Sequence, residues 1–128
     1  MILLDTSVLI DGLTGLRHTA AALRDAIERG ERLALPSLVL YEWLRGPRRP
    51  EELAAQEALF PGESAIPFGP AESALAASIH RRIRGARGRE IDLAIAACAL
   101  SRDARLWTLN LADFQDVPDL LVSRPGVF

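Results

Sequence analysis

The chain contains no lysine; all 15 of its basic residues are arginine. That absence excludes a phosphate-binding loop with its lysine on the β- and γ-phosphates, and Schiff-base chemistry, which needs an amine. It also speaks against phosphoaspartyl enzymes and receiver-like domains, which set a lysine beside a strand-end aspartate. Cysteine is almost missing too. Cys98 alone cannot form an intrachain disulfide, which fits a reducing cytoplasm, and its alanine-rich surroundings read as those of an inert core thiol. Aromatic residues make up 5% of a chain that is 49% hydrophobic, so the core must be aliphatic and alanine-rich. Helices packed closely on a sheet suit such a core. No run approaches the roughly 18 apolar residues of a membrane span, and no basic segment leads into a long apolar one at the start. Neither a membrane anchor nor a signal peptide is expected. A net charge of −2 rules out a generally basic surface, so any contact with nucleic acid must be local. The 128 residues suffice for one domain, 1–128, with a proper core.

What is present is an apolar run that ends abruptly in a carboxylate. Met1 to Leu4 reads as a strand buried on both faces, and Asp5 stands where it runs out, with Thr6 or Ser7 placed to cap a following helix. Ligands of open α/β sheets gather at such strand ends. Alternatively, Asp5 itself caps the helix. Leu16, Ala20, Leu23 and Ile27 recur at helical spacing up to Gly30; Leu33 to Leu35 is a short strand, and Ser37 suits the cap of a helix from Leu38 to Arg45. A helix from Glu51 to Phe60, a minimal strand at Ala65 to Phe68 and a helix from Pro70 past Ile79 follow. Glu90 to Ser101 is a buried alanine-rich helix, and strands are expected at Arg105 to Leu109 and Leu120 to Ser123. Alternating strands and helices indicate a three-layer α/β/α sandwich around a short parallel sheet.

Two further acids interrupt apolar sequence. Glu42 lies within Leu38-Val39-Leu40-Tyr41-Glu42-Trp43-Leu44, where a lone carboxylate is costly unless it is paired or binds a metal; Arg45 is the obvious ion-pair partner. Asp92 lies in the first turn of the alanine-rich helix, where the helix dipole favours an acid, although Glu90 meets that preference equally well. The strand ending at Leu109 brings Asn110 to the edge where Asp5 lies, and Asp113 follows in the loop. Asp5, Glu42, Asp92 and a polar group from Asn110 to Asp113 would make a set of hard oxygen ligands without histidine or cysteine, suited to Mg²⁺ or Mn²⁺ rather than zinc. His18 and His80 stand among charged residues and read as exposed.

Leu3-Leu4-Asp5-Thr6-Ser7-Val8-Leu9-Ile10 resembles the opening of a PIN domain. Pro36-Ser37 through Tyr41-Glu42 to Arg45-Gly46 resembles its second motif, Glu90-Ile91-Asp92-Leu93-Ala94-Ile95-Ala96-Ala97 its third, and Thr108-Leu109-Asn110-Leu111-Ala112-Asp113-Phe114 its last. Four motifs in order over nearly the whole chain resemble the VapC-type toxins of toxin–antitoxin pairs. The resemblance implies a PIN-like fold and a cytoplasmic Mg²⁺-dependent endoribonuclease, with Mn²⁺ as a substitute ion. It makes Asp5, Glu42 and Asp92 metal ligands, held by hydrogen bonds from Thr6 or Ser7 and from Thr108. Asn110 and Asp113 complete the catalytic set, asparagine standing where many members have aspartate. Arg82, Arg84, Arg87 and Arg89, just ahead of Asp92, are candidates for RNA contact. The implied partners are RNA, a cognate antitoxin and a second copy of the chain. Trp43, Leu44 and the helix beginning near Leu16 form a candidate groove for the antitoxin; the alternative, commoner for a tryptophan in such a helix, is that Trp43 fills the core. A catalytically inactive PIN-like module that binds RNA or a protein is the alternative, favoured by Asn110 and opposed by Glu42.

Overall fold

The first strand, β1 (Ile2–Leu4), is buried at every position and lies inside the sheet rather than at its edge. The computed structural model describes all residues, 1–128. Four parallel strands run in the order β2 (Leu33–Ala34), β1, β3 (Arg105–Trp107), β4 (Val122–Ser123). Parallel neighbours need crossovers: β3 leads to β4 through a loop with one 3₁₀ turn at Leu111–Asp113, and the other crossovers are made by six helices. These are α1 (Thr6–Leu13), α2 (Ala20–Glu28), α3 (Ser37–Arg45), α4 (Pro50–Leu59), α5 (Pro70–Arg82) and α6 (Glu90–Ser101). The architecture is the expected α/β/α arrangement.

Register sets the site. Leu4 pairs with Trp107 and Trp107 with Ser123, so β1, β3 and β4 end level with one another. The Asp5 amide donates to the Trp107 carbonyl (2.9 Å) and the Thr108 amide to that of Ser123 (3.0 Å). Beneath this edge α6 buries seven consecutive residues, Leu93 to Ala99, four of them alanine. Small side chains let the helix axis approach its neighbours closely, and that approach brings Asp92, in its first turn, toward β1.

Several expectations change. The helix expected from Leu16 begins only at Ala20, and Leu16 is 84% exposed. Gly15 and Arg17 both adopt left-handed backbone (φ 57° and 55°), which no α-helix accommodates. Ser37 is the first residue of α3 rather than its cap, and its amide donates to Ile66. The strand expected at Ala65 to Phe68 contracts to one bridge between Ile66 and Pro36, after a 3₁₀ turn at Gly62–Ser64. Trp43 is fully buried, with the Arg48 guanidinium 4.3 Å over its ring, so it fills core and lines no groove.

Close packing on α6 leaves no room for added bulk. Ala96→Leu should lower stability by about 1–3 kcal/mol through overpacking, read as a lower urea midpoint with an unchanged slope.

Candidate active site

Asp5 occupies the position before α1, but its carboxylate does not cap that helix. Its Oδ2 accepts hydrogen bonds from Ser7 Oγ and from Thr108 Oγ1, both at 2.8 Å. Thr108 is wholly buried, and its hydroxyl also accepts the Asn110 amide (3.0 Å), while Ser7 Oγ accepts the Leu109 amide (3.1 Å). Two hydroxyls thus staple the ends of β1 and β3 together through one carboxylate. Burial raises the Asp5 pKa; the Thr108 and Ser7 hydroxyls pull it back, and the charge of Glu42 adds to the rise.

Thr6 holds the second acid. Its Oγ1 donates to Glu42 Oε1 at 2.6 Å, tying the start of α1 to the middle of α3. The other oxygen of Glu42 faces Arg45 at a long 3.4 Å, and Arg45 is itself exposed, so the expected ion pair is weak. Asp92 approaches from α6 without a hydrogen-bonded partner. Burial, and then the charges of Asp5, Asp113 and Glu42, push its pKa up to about 6, against a smaller opposing effect of Arg89. Four carboxylates therefore share one field. Their oxygens stand apart in this structure rather than closing on one point, so a bound cation would draw them together.

A PIN domain model matches residues 2–120. The chain belongs to the PIN-domain family. Ribonuclease VapC19 of Mycobacterium tuberculosis is 38% identical over 125 residues, which cover 94% of this chain and 97% of that protein. DNA-bound VapBC from Salmonella typhimurium superposes with a TM-score of 0.81 at 22% identity, over 96% of each chain. VapBC2 from Rickettsia felis, bound to a promoter DNA fragment, superposes at 0.76 and 19% identity, over 97% of this chain and 98% of that one. At such identities the structural likeness speaks for the fold alone.

The donor chemistry of this PIN site suits a hard divalent cation. Every candidate ligand is an oxygen, no lysine stands nearby to neutralise the acids, and their repulsion is what a cation relieves. Asp5, Glu42 and Asp92 would hold it. Of the two candidates for a fourth position, Asp113 is the one whose charge acts on Asp92; the Asn110 side chain is exposed and makes no hydrogen bond.

Among the arginines ahead of α6, the structure separates one from the rest. Arg89, expected to be free for RNA, spends its guanidinium on both carboxylate oxygens of Asp116 (2.7 and 2.8 Å) and on the Asp113 carbonyl (2.8 Å). It clamps the loop after β3 onto the start of α6 and so fixes Asp113 relative to Asp92. Asp116, held well below the usual carboxylate range by Arg89, is the member of this clamp that sequence reading passes over. Nothing in a loop acid 27 residues away marks it as a partner. Arg82, Arg84 and Arg87 are exposed and enter no ion pair.

Two expectations follow from these couplings. Thr108→Val should destabilise the metal-free protein by about 1–3 kcal/mol. Its hydroxyl favours the ionised form of Asp5, so urea unfolding should show a larger loss at pH 8 than at pH 4. The Asp92 pKa is raised on folding, from 3.8 to about 6, so its ionisation costs folded-state stability as pH rises through that window. In EDTA, Asp92→Asn should therefore match the wild type near pH 4 and exceed it above pH 6. Half-exposure screens the gain to about 1–2 kcal/mol.

Proposed function

We propose that this protein is a Mg²⁺-dependent endoribonuclease toxin that acts in the cytoplasm as a homodimer and is silenced by a cognate antitoxin. The observation that carries the reading is the buried Asp5 carboxylate, held by Thr108 and Ser7 in the field of Asp92, Asp113 and Glu42. A bound Mg²⁺ would supply a Lewis acid for the phosphodiester and a water of lowered pKa. The chain's own share is to set Asp5, Glu42 and Asp92 around one place and orient them. Thr6, Ser7 and Thr108 aim the carboxylates, and the Arg89 clamp keeps Asp113 beside Asp92. Arg82, Arg84 and Arg87 offer free guanidinium groups to the phosphates of the strand.

Partner binding has surfaces to use. Gly12, Leu23, Ile27, Ala55 and Leu59 line a groove of about 280 Å³ between α2 and α4, and Ile27 and Leu59 are exposed there. Leu38, Phe68, Ala76, His80 and Ile91 line an apolar hollow of about 350 Å³ between α3, α5 and α6. An antitoxin helix and a second copy are the occupants this reading requires. An arginine from the antitoxin would find the clustered carboxylates attractive and could bridge two of them.

Purified protein incubated with total RNA tests the reading. Cuts should appear with Mg²⁺ and vanish in EDTA. Asp5→Asn, Glu42→Gln and Asp92→Asn should each reduce cutting on the order of 100-fold or more while leaving the circular dichroism spectrum unchanged. RNA that binds but stays intact with Mg²⁺ would instead support an inactive PIN-like module.

A further inference from the structure

Beyond the carboxylates, on the α1–α2 side of the sheet edge, lies a polar cavity of about 290 Å³. Asp11, His18, Thr19, Leu109 and Arg124 line it. These residues come from the end of α1, the turn before α2 and the segments that follow β3 and β4, so only the folded topology brings them together. We propose that this cavity is a subsite for one nucleotide of the RNA strand next to the one being cut, with the Arg124 guanidinium on its phosphate. The proposal rests on the endoribonuclease reading for its ligand.

Continuity with the site is the first support. The Leu109 amide donates to Ser7 Oγ, and Ser7 Oγ donates to Asp5, so a wall of the cavity stands one hydrogen bond from the hydroxyl that holds the catalytic carboxylate. The second support is that Arg124 is uncommitted. Arg29, Arg45, Arg49 and Arg89 enter ion pairs, and Arg48 and Arg105 donate hydrogen bonds within the fold. Arg124 is exposed at the cavity and enters no ion pair and no side-chain hydrogen bond, which leaves a planar fork of donors for phosphate oxygens.

The remaining lining suits a nucleotide better than a bare anion. Asp11 would repel phosphate, but its Oδ2 accepts the Thr19 amide (2.8 Å) and its Oδ1 lies 3.8 Å from His18 Nδ1. An acceptor so placed favours hydroxyl and amine donors, which ribose and the bases carry and which mark RNA at its 2′ position. Ala22, Leu109 and Pro125 add apolar surface for a base to lie on. The volume matches the small end of pockets for small ligands.

The test uses an RNA of about ten nucleotides centred on a mapped cut, and two trimmed versions that keep a single nucleotide on the 5′ or the 3′ side of it. Arg124→Ala should raise KM on the long RNA about tenfold with kcat within about twofold, and the change should vanish on one trimmed RNA. Arg124→Lys should recover part of the loss. In EDTA, where RNA stays uncut, Arg124→Ala should lower the salt slope of binding by about 0.7. Equal losses on long and trimmed RNA, or no change in either assay, overturn the proposal. Unchanged RNA binding with weakened antitoxin inhibition also overturns it and assigns the cavity to the protein partner. An Arg124-dependent slope in a protein that never cuts RNA would keep the subsite and reject the nuclease.

Discussion

The structure turns on a carboxylate hydrogen-bonded at the buried end of a strand. Asp5 is 5% exposed, and a lone charge at such depth would simply take up a proton. Two hydroxyl donors oppose this, one from the residue two places on and one from the end of a strand a hundred residues later. The arrangement depends on β1 and β3 being parallel neighbours in register, with Leu4 opposite Trp107. A slip of one residue would turn the Thr108 hydroxyl to the other face of the sheet.

Everything else around the site answers to that charge. Alanines in α6 let Asp92 come near enough to feel Asp5, and Thr6 draws Glu42 in from α3. The Arg89–Asp116 pair fastens the loop that carries Asp113. The result is a concentration of like charge that costs the metal-free protein stability and makes it a strong attractor for cations. A chain without lysine has no flexible ammonium to fold into this cleft. Its nearest fixed cations, Arg45 and Arg89, are turned toward Glu42 at long range and toward Asp116.

Acids set into apolar sequence are legible without a structure, because burying charge without purpose is too costly to be common. Asp5, Glu42 and Asp92 stand out for that reason, and the alternation of strands and helices shows the sandwich. Where backbone conformation overrides side-chain periodicity, the reading fails. Leu16 continues a helical pattern, yet left-handed residues on either side of it end the helix. Trp43 is a large apolar residue on an amphipathic helix, and only packing shows which way it faces. Arg89 and Arg124 are alike as letters in a sequence; one is locked to Asp116 and the other is free at a cavity, and neither state is written in its neighbours.

The central claim is that these carboxylates hold one divalent cation at the end of β1. Crystals grown with Mn²⁺ and measured at the manganese absorption edge test it most directly. The account predicts an anomalous peak about 2.1 Å from oxygens of Asp5 and Asp92, lost in crystals of Asp5→Asn. A peak elsewhere on the surface, or none at saturating Mn²⁺ above pH 7, would contradict it.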